Sequence, residues 1–122
     1  MSPFSLDFHL PKKIKVGKTA KVGVYFTNRA DFDMTVQITA IDTPETALDI
    51  IQPAEAIIVK GGTIGVTLVE ITGLEAAVDA SLHISGIATA ASGGPYSADQ
   101  FRTITVVDKT KADEEGEDYE WY

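Results

Sequence analysis

Apolar and polar side chains alternate along most of this chain with a period of two residues. The alternation is cleanest over residues 19–28 and residues 33–41. A period of two is typical of β-strands, in which successive side chains point to opposite faces of a sheet. Glycine and proline interrupt the alternating segments at intervals of about ten residues. The pattern predicts an all-β, antiparallel sandwich of about seven or eight short strands.

The inward-facing members of these segments are expected to form a core between two sheets. The residues assigned to this core are Val22, Val24, Phe26, Val36, Ile38, Val66, Leu68, Leu82 and Ile84. Val78 and Ala80 are expected to share the inward face of Leu82 and Ile84, because all four lie at even spacing.

Two local features refine the predicted strands. Gly61 and Gly62 lie between two apolar segments, residues 55–60 and 63–71, and a glycine pair at such a position predicts a tight hairpin. Further along, Phe101 and Ile104 are out of phase for a period of two. This predicts a β-bulge near residues 102–103.

The N-terminal residues 1–11 are predicted to be an extended arm outside the sandwich, which itself spans residues 12–109. Phe4, Leu6 and Phe8 alternate with polar residues in this arm. Three apolar side chains within five residues indicate a contact surface. We expect them to contact either a neighbouring chain or the open edge of the chain's own sandwich.

Five lysines lie within residues 12–21, among them Lys12, Lys13 and Lys15. One interpretation is an exposed edge strand whose lysines prevent edge-to-edge aggregation. The other is a docking surface for an acidic partner, for example the C-terminal tail of a neighbouring copy.

The C-terminal residues 110–122 form a predicted tail that carries much of the chain's charge. The chain has a net charge of −8, and the tail contains six acidic residues together with Tyr119, Trp121 and Tyr122. An acidic segment without aromatic residues would be a solubilising extension. Aromatic side chains contribute large contact areas at interfaces, so a docking segment is the alternative interpretation.

Several functional classes find little support in the composition. The chain has no cysteine, which excludes disulfides and thiolate chemistry. A basic face for phosphate contacts is missing, so nucleic acid is not an expected partner. No apolar segment is long enough for a membrane span. The N-terminus lacks the pattern of a secretory signal.

Candidate chemistry is sparse. His83 lies between Ser81 and Ser85, but neighbours at a spacing of two on a strand face one another without forming a triad, and no glycine elbow accompanies them. A loop calcium site is a second hypothesis. Its candidate ligands are Asp31, Asp33, Asp42, Glu45 and Asp49. The glycine pairs do not open a helix and therefore do not predict a phosphate-binding loop. Neither catalytic residues nor a cofactor or resident metal is expected.

The order of these segments resembles bacterial and viral immunoglobulin-like sandwiches. The similar segments are residues 14–28, residues 48–59 followed by Gly61-Gly62, residues 82–90 and residues 101–107. The resemblance covers residues 12–108 and lacks the Cys–Trp–Cys core of antibody domains. Cell-adhesion-related modules and the decoration proteins of tailed phages have such folds. The resemblance implies a module that binds, spaces or decorates.

These features favour a non-enzymatic structural or interaction protein. The first hypothesis is a virion accessory subunit that decorates a capsid and attaches through its termini. The alternative is a bacterial surface or secreted module of adhesin or S-layer type, which would be extracellular. The expected partners are capsid or surface-layer subunits or copies of this chain within a larger assembly. The expected partner-binding residues are Phe4, Leu6, Phe8, Lys12, Lys13, Lys15, Tyr119, Trp121 and Tyr122.

Overall fold

Nine β-strands form the part of the chain that the structure describes. The structure is a computed structural model, and it describes residues 2–43, 46–52 and 55–108. The strands are β1 (Phe4–Phe8), β2 (Lys13–Lys15), β3 (Thr19–Asn28), β4 (Met34–Asp42), β5 (Leu48–Ile51), β6 (Ile57–Val59), β7 (Ile64–Gly73), β8 (Ala77–Ala90) and β9 (Gly93–Val107). Within those ranges the chain has no helix long and apolar enough to cross a membrane.

The strands pack as two sheets, which confirms the predicted all-β sandwich. One sheet has four strands in the order β1-β3-β7-β5, and the other has five in the order β2-β9-β8-β4-β6. Neighbouring strands are antiparallel except β2 and β9, which run parallel. The count exceeds the prediction because the N-terminal segment contributes a strand of its own.

The N-terminal segment is an integral strand, so the prediction of a separate arm over residues 1–11 is wrong. Strand β1 pairs along its whole length with β3, from Phe4 opposite Asn28 to Phe8 opposite Val24. Phe4, Leu6 and Phe8 are fully buried in the core. These side chains were expected to contact either a neighbouring chain or the open edge of the chain's own sandwich. In the structure they pack into the chain's own sandwich. Their period of two matches the inward face of β3, and burial stabilises each by about 1.5–3 kcal/mol.

Arg102 of β9 forms contacts between the five-stranded sheet and β1. Its Nη2 lies 2.6 Å from Asp7 Oδ1, and its guanidinium lies over the Phe8 ring at 5.7 Å from the centroid. The arginine therefore contacts both faces of β1.

The nine assigned core residues are placed correctly on β3, β4 and β8 and wrongly on β7. Seven of the nine assigned residues are buried, but Val66 and Leu68 are more than half exposed. Strand β7 pairs with β3 so that Thr67 lies opposite Val24 and Val69 opposite Val22. Directly opposite residues point to the same face of a sheet. The inward side chains of β7 are therefore Val69 and Ile71, both fully buried.

The glycine pair forms a tight turn, but the predicted hairpin is wrong. The Thr63 N–H donates to the Lys60 carbonyl at 3.1 Å, while β6 pairs with β4 in one sheet and β7 with β3 in the other. The turn therefore carries the chain between sheets. Gly61 is required there because a Cβ would lie 2.8 Å from the carbonyl carbon of Asp31.

Asn28 holds this crossing in place from the end of β3. Its Nδ2 donates to the carbonyls of Phe32 at 2.8 Å and Val59 at 3.0 Å. The Ala30 N–H donates to its Oδ1 at 2.9 Å. Asn28 is fully buried, and these three bonds satisfy most of the capacity of its amide group.

Strand irregularities occur in β4, between Ile38 and Ala40, and in β8, rather than where the sequence predicts one. The pairing of β8 with β9 shifts between Ala77 and Ala80, and Asp79 there has a φ of 50°. This shift turns Val78 to solvent, so its predicted place in the core is wrong. Residues 100–104 of β9 pair in unbroken register, without the expected bulge. Phe101 is out of phase because it faces solvent.

Candidate interaction surfaces

The outer side of the four-stranded sheet carries a group of exposed apolar side chains. We call this surface the apolar face, and it consists of Tyr25, Ile51, Ile64, Val66 and Leu68. The exposed fractions of these residues range from 45% for Tyr25 to 65% for Ile64. Side chains of this size are usually buried, and a contiguous exposed group of them is typical of an interaction site.

The pairing of β3 with β7 makes this face continuous. Tyr25 lies opposite Val66, and Gly23 lies opposite Leu68. The Tyr25 ring extends over Gly23, since a Cβ on that glycine would lie 3.3 Å from Tyr25 Oη. The ring therefore covers the position at which β3 has no side chain and lies beside Leu68. The result is an aromatic and aliphatic surface of the kind enriched in the centres of interfaces.

The same sheet also has an open backbone edge beside the apolar face. Strand β5 pairs with β7 only along residues 70–73. Within residues 2–43, 46–52 and 55–108, no strand pairs with that side of residues 64–69. Unpaired strand edges expose backbone donors and acceptors that can bind an extended segment.

The other end of this outer surface is charged and polar. Lys21 lies opposite Glu70, and the hydroxyls of Thr19 and Thr72 are 2.7 Å apart. Lys18 is exposed in the turn before β3. Asp49 of β5 is exposed opposite Thr72. We call Lys18, Lys21, Asp49 and Glu70 the charged end of the sheet. The surface therefore changes along the strands from charged to apolar.

The N-terminal lysines lie on an edge strand, as the first interpretation predicts. Lys13 and Lys15 belong to β2, the outermost strand of the five-stranded sheet, and Lys12 is exposed just before it. A shallow groove of about 410 Å³ runs beside this strand. Its lining residues are Lys13, residues 76–78 and residues 105–108. Docking of an acidic partner there stays a prediction.

The outer side of the five-stranded sheet is polar and centred on His83. Its Nε2 lies 2.8 Å from Asp99 Oδ2 and its Nδ1 lies 3.5 Å from Asp42 Oδ2. The imidazole stacks on Phe101 with 3.9 Å between ring centroids and 5° between planes. This stacking covers one face of the exposed Phe101 ring.

This histidine is not arranged as a catalytic base. Ser85 Oγ lies 3.4 Å from the same Nε2 that Asp99 contacts at 2.8 Å. A carboxylate only accepts hydrogen bonds, so Nε2 carries the proton that it donates to Asp99. The nitrogen nearest the serine hydroxyl therefore cannot accept the serine's proton, as a nucleophile–base pair requires. The cluster is a cross-strand polar contact.

The carboxylates considered for calcium are spread over the surface. Asp33 Oδ1 accepts the Gly61 N–H at 3.1 Å, whereas Asp42 and Asp49 line a shallow pocket of about 300 Å³ elsewhere. Glu45 lies outside the described residues. Across residues 2–43, 46–52 and 55–108, no three His, Asp or Glu side chains are placed to hold a metal ion together.

The expected partner-binding residues fall into three groups. Phe4, Leu6 and Phe8 are core residues, so their assignment to a partner surface is corrected. The three lysines lie at or beside the β2 edge. The aromatic residues of the tail, Tyr119, Trp121 and Tyr122, lie outside the described residues.

Sequence reasoning missed the apolar face because it assigned β7 the wrong phase. Residues 64–71 carry apolar side chains on both faces of the strand, so the alternation alone does not decide which set is buried. The small residues Gly65 and Thr67 were the available signal. A Cβ on Gly65 would lie 2.7 Å from Val59 Cγ2, so the inward position requires glycine.

Structural similarity identifies the fold as immunoglobulin-like. The native alpha-2-macroglobulin of Escherichia coli matches 88% of this chain with a TM-score of 0.71 and 14% identity, and the match covers 7% of that protein. A fragment of that protein, from domain MG7 to the C-terminus, has a TM-score of 0.68 and 19% identity, covering 87% of this chain and 17% of the fragment.

A PapD-like domain of human CEP192 is a more distant match. Its TM-score is 0.52 at 8% identity, and the match covers 84% of each chain. No protein-family model matches the sequence, and no curated protein is significantly similar to it. The chain thus has the size of one domain and spans a small part of the bacterial alpha-2-macroglobulins that it resembles in fold.

Proposed function

We propose that this chain is a non-enzymatic interaction module that binds a protein partner through the apolar face. The observation that carries this proposal is the row of Ile64, Val66 and Leu68 on β7, flanked by Tyr25 and Ile51 and at least 45% exposed. A strand that buried only one side would carry polar residues at these outward positions. Apolar residues there serve a contact outside the chain's own core.

The dimensions of the apolar face suit one compact partner surface. Five side chains of this size expose a few hundred Å², which is at the upper end of the apolar patches found on monomers. This area would form the centre of an interface, with the open β7 edge and the charged end at its rim. Tyr25 would anchor the contact, since tyrosine is enriched among the residues that dominate binding energy.

Two biological settings fit such a module. One is the virion, where a small accessory subunit would decorate a capsid. The other is a bacterial surface or secreted protein in which this chain is one of several domains. The similarity in fold to a part that makes up 7% of Escherichia coli alpha-2-macroglobulin shows that such a sandwich can be one domain of a longer chain. Both settings use the sandwich as a carrier for one contact surface.

Substitutions on the two outer surfaces, assayed for attachment in the natural source, test the proposal. In the parent, the chain is expected to co-sediment with a larger assembly, either virions or the cell envelope. Leu68→Ser removes a large side chain from the apolar face, and Phe101→Ser is the matched control on the opposite sheet. Loss of about 1.5–3 kcal/mol of apolar burial weakens binding by about 10-fold to 150-fold.

Only Leu68→Ser should release the chain from the assembly. If the Phe101→Ser chain is released from the assembly and the Leu68→Ser chain stays attached, the apolar face is not the contact surface. Circular dichroism of both variants confirms that each is folded. Sedimentation with virions or with envelope distinguishes the two settings.

A further inference from the structure

We propose that the C-terminal residues 109–122 dock on the apolar face of the same chain and compete there with the partner. The aromatic residues Tyr119, Trp121 and Tyr122 would cover the apolar face, and the acidic residues before them would lie beside the charged end. The docking itself is independent of the proposed function, whereas the competition rests on it.

The exit point of the chain from the sandwich favours this path. Strand β9 ends at Val107, whose carbonyl accepts the Val16 N–H at 3.0 Å. Val16 also bridges to Gly73, and the Gly17 N–H donates to the Gly73 carbonyl at 2.8 Å. Val107 therefore lies about two strand spacings, or about 10 Å, from the end of β7. The chain leaves the five-stranded sheet beside the charged end of the other sheet.

The length of the remaining chain matches the distance to the apolar face. Leu68 is five residues before Gly73 along β7, or about 17 Å, so the path over the sheet from Val107 to Leu68 is about 27 Å long. Ile64 is about 40 Å away on the same path. Tyr119 follows Val107 by twelve residues and can reach about 40 Å when extended. The aromatic residues can therefore reach any part of the apolar face.

The order of residues in the segment matches the order of features on the sheet. Starting from Val107, the sheet presents the charged end first and the apolar face second. The segment has five acidic residues over positions 113–118 and then aromatic residues at positions 119, 121 and 122. Running along the strands, its acidic part passes Lys18 and Lys21, and its aromatic part reaches Tyr25, Val66 and Leu68. Among the described residues, the acidic ones at the charged end are Asp49, which lies opposite Thr72, and Glu70, which lies opposite Lys21. The two lysines are therefore the groups there that attract an acidic segment.

Attachment to the same chain favours this occupant over a second copy. A segment tethered by a short flexible linker has an effective concentration near the millimolar range, far above that of separate copies in solution. An extended segment beside residues 64–69 could also hydrogen-bond to the open edge of β7. Tethering lets a modest contact cover the face until a partner displaces it.

Trp121 is the only tryptophan in the chain and reports directly on this contact. We expect its fluorescence in the full-length monomer to be blue-shifted and protected from acrylamide quenching. Leu68→Ser, alone or with Val66→Thr, should raise the quenching constant several-fold towards that of a free peptide of residues 109–122. Ile58→Thr is the matched control, because Ile58 is 71% exposed on the other sheet, and it should leave the quenching unchanged.

Three outcomes would overturn the proposal. A tryptophan that is fully quenchable in the parent shows that the segment is undocked. Protection that survives Leu68→Ser and falls in a Lys12→Ala, Lys13→Ala, Lys15→Ala variant places the segment at the β2 edge. If protection of Trp121 disappears when the protein is diluted, the segment docks on a second copy of the chain.

Competition is measured separately from docking. A chain that ends at Lys111 should attach to its assembly several-fold more strongly than the full chain if the segment covers the contact surface. The two chains could instead attach equally well while Leu68→Ser still releases the chain from its assembly. That result would contradict the competition and leave the proposed function in place. If Leu68→Ser leaves attachment unchanged but exposes a Trp121 that is protected in the parent, the proposed function is contradicted and the docking is left in place.

Discussion

The two outer surfaces of this sandwich differ, although both sheets bury the same kind of core. The central strands β8 and β9 of the five-stranded sheet direct Ser81, His83, Asp99 and Thr103 to solvent. The corresponding positions of β7 in the four-stranded sheet are Ile64, Val66 and Leu68. Core packing requires apolar side chains on the inner faces only. Packing of the core therefore does not require the apolar side chains on the outer face of β7.

The one large apolar residue at the centre of the polar surface illustrates the difference. Phe101 is 61% exposed, but the imidazole of His83 stacks on it and two carboxylates contact that imidazole. The chain itself covers Phe101 with polar groups. Among the described residues, the apolar face has no such cover apart from Tyr25 lying over Gly23. The two surfaces therefore differ in the groups that lie beside their exposed apolar side chains, rather than in how exposed those side chains are.

Among single substitutions, the largest effect is expected in the shared core beneath both surfaces. Phe26→Ala should destabilise the domain by about 3–5 kcal/mol, because it removes a fully buried ring that contacts Phe4 at 6.1 Å between centroids. Thermal unfolding of the variant and parent measures the loss. A melting temperature within a degree or two of the parent would show that the inward face of β3 is assigned incorrectly.

Removal of the first strand tests whether β1 belongs to that core. Deletion of residues 1–10 exposes the inward side of β3 and removes Phe4, Leu6 and Phe8, so the chain should not fold cooperatively. Far-ultraviolet circular dichroism and a thermal melt measure this. A cooperative transition near that of the parent would restore the interpretation of residues 1–11 as a separate arm.

Asn28 joins the two sheets, and its loss should cost an intermediate amount. Asn28→Ala removes the hydrogen-bond donor of two carbonyl groups, those of Phe32 and Val59. This loss should lower the free energy of unfolding by about 2–4 kcal/mol. Urea denaturation gives the difference in free energy. Asn28→Asp supplies the acceptor for the Ala30 N–H but no donor, so it should be comparably unstable. A stable Asn28→Asp variant would mean that the bond to Ala30 is the important one.

A matched pair of substitutions on β7 separates its two faces. Val69→Ala removes fully buried methyl groups and should cost about 2–3 kcal/mol. Val66→Ala makes the same chemical change on the apolar face, where a surface substitution changes stability by less than about 0.5 kcal/mol. Denaturation curves of the two variants give the comparison. Equal losses would show that residue 66 is buried in the isolated chain.

The smallest effect is expected on the polar surface. Asp99→Asn removes the charge that contacts His83 but keeps a side chain of the same shape. Exposed ion pairs contribute about 0–1 kcal/mol, so both stability and attachment should change little. Loss of attachment in this variant, measured by co-sedimentation, would move the contact surface to the five-stranded sheet.

Alternation along the chain was sufficient to predict the all-β class and most of the core. It succeeded on β3, where every outward position except Tyr25 is polar or small, and on β4 as far as Ile38, where the register shifts. It failed on β7 because both faces are apolar, and only the register with β3 decides which one is buried. Surfaces that bind a partner tend to violate the alternation for this reason.

Other errors arose where pairing over long sequence distances overrides local signals. The glycine pair at residues 61–62 indicates a turn correctly, but only the pairing of β6 with β4 shows that the chain changes sheets. The N-terminal segment has the alternating pattern of a strand. Its partner β3 begins eleven residues after β1 ends, so the pattern of the segment itself does not show that the two strands pair. Contacts of this kind depend on the whole fold and are absent from a local pattern.

Side-chain footprinting of the chain, free and within its native assembly, shows which outer surface binds the partner. Hydroxyl radicals label exposed Tyr, Leu and Phe side chains, so Tyr25 and Leu68 report on the apolar face and Phe101 on the polar surface. The reference is the free chain ending at Lys111, in which the C-terminal segment cannot protect the face. The account predicts strong protection of Tyr25 and Leu68 on assembly, with Phe101 labelled as before. Protection of Phe101 with full labelling of Tyr25 and Leu68 would contradict it.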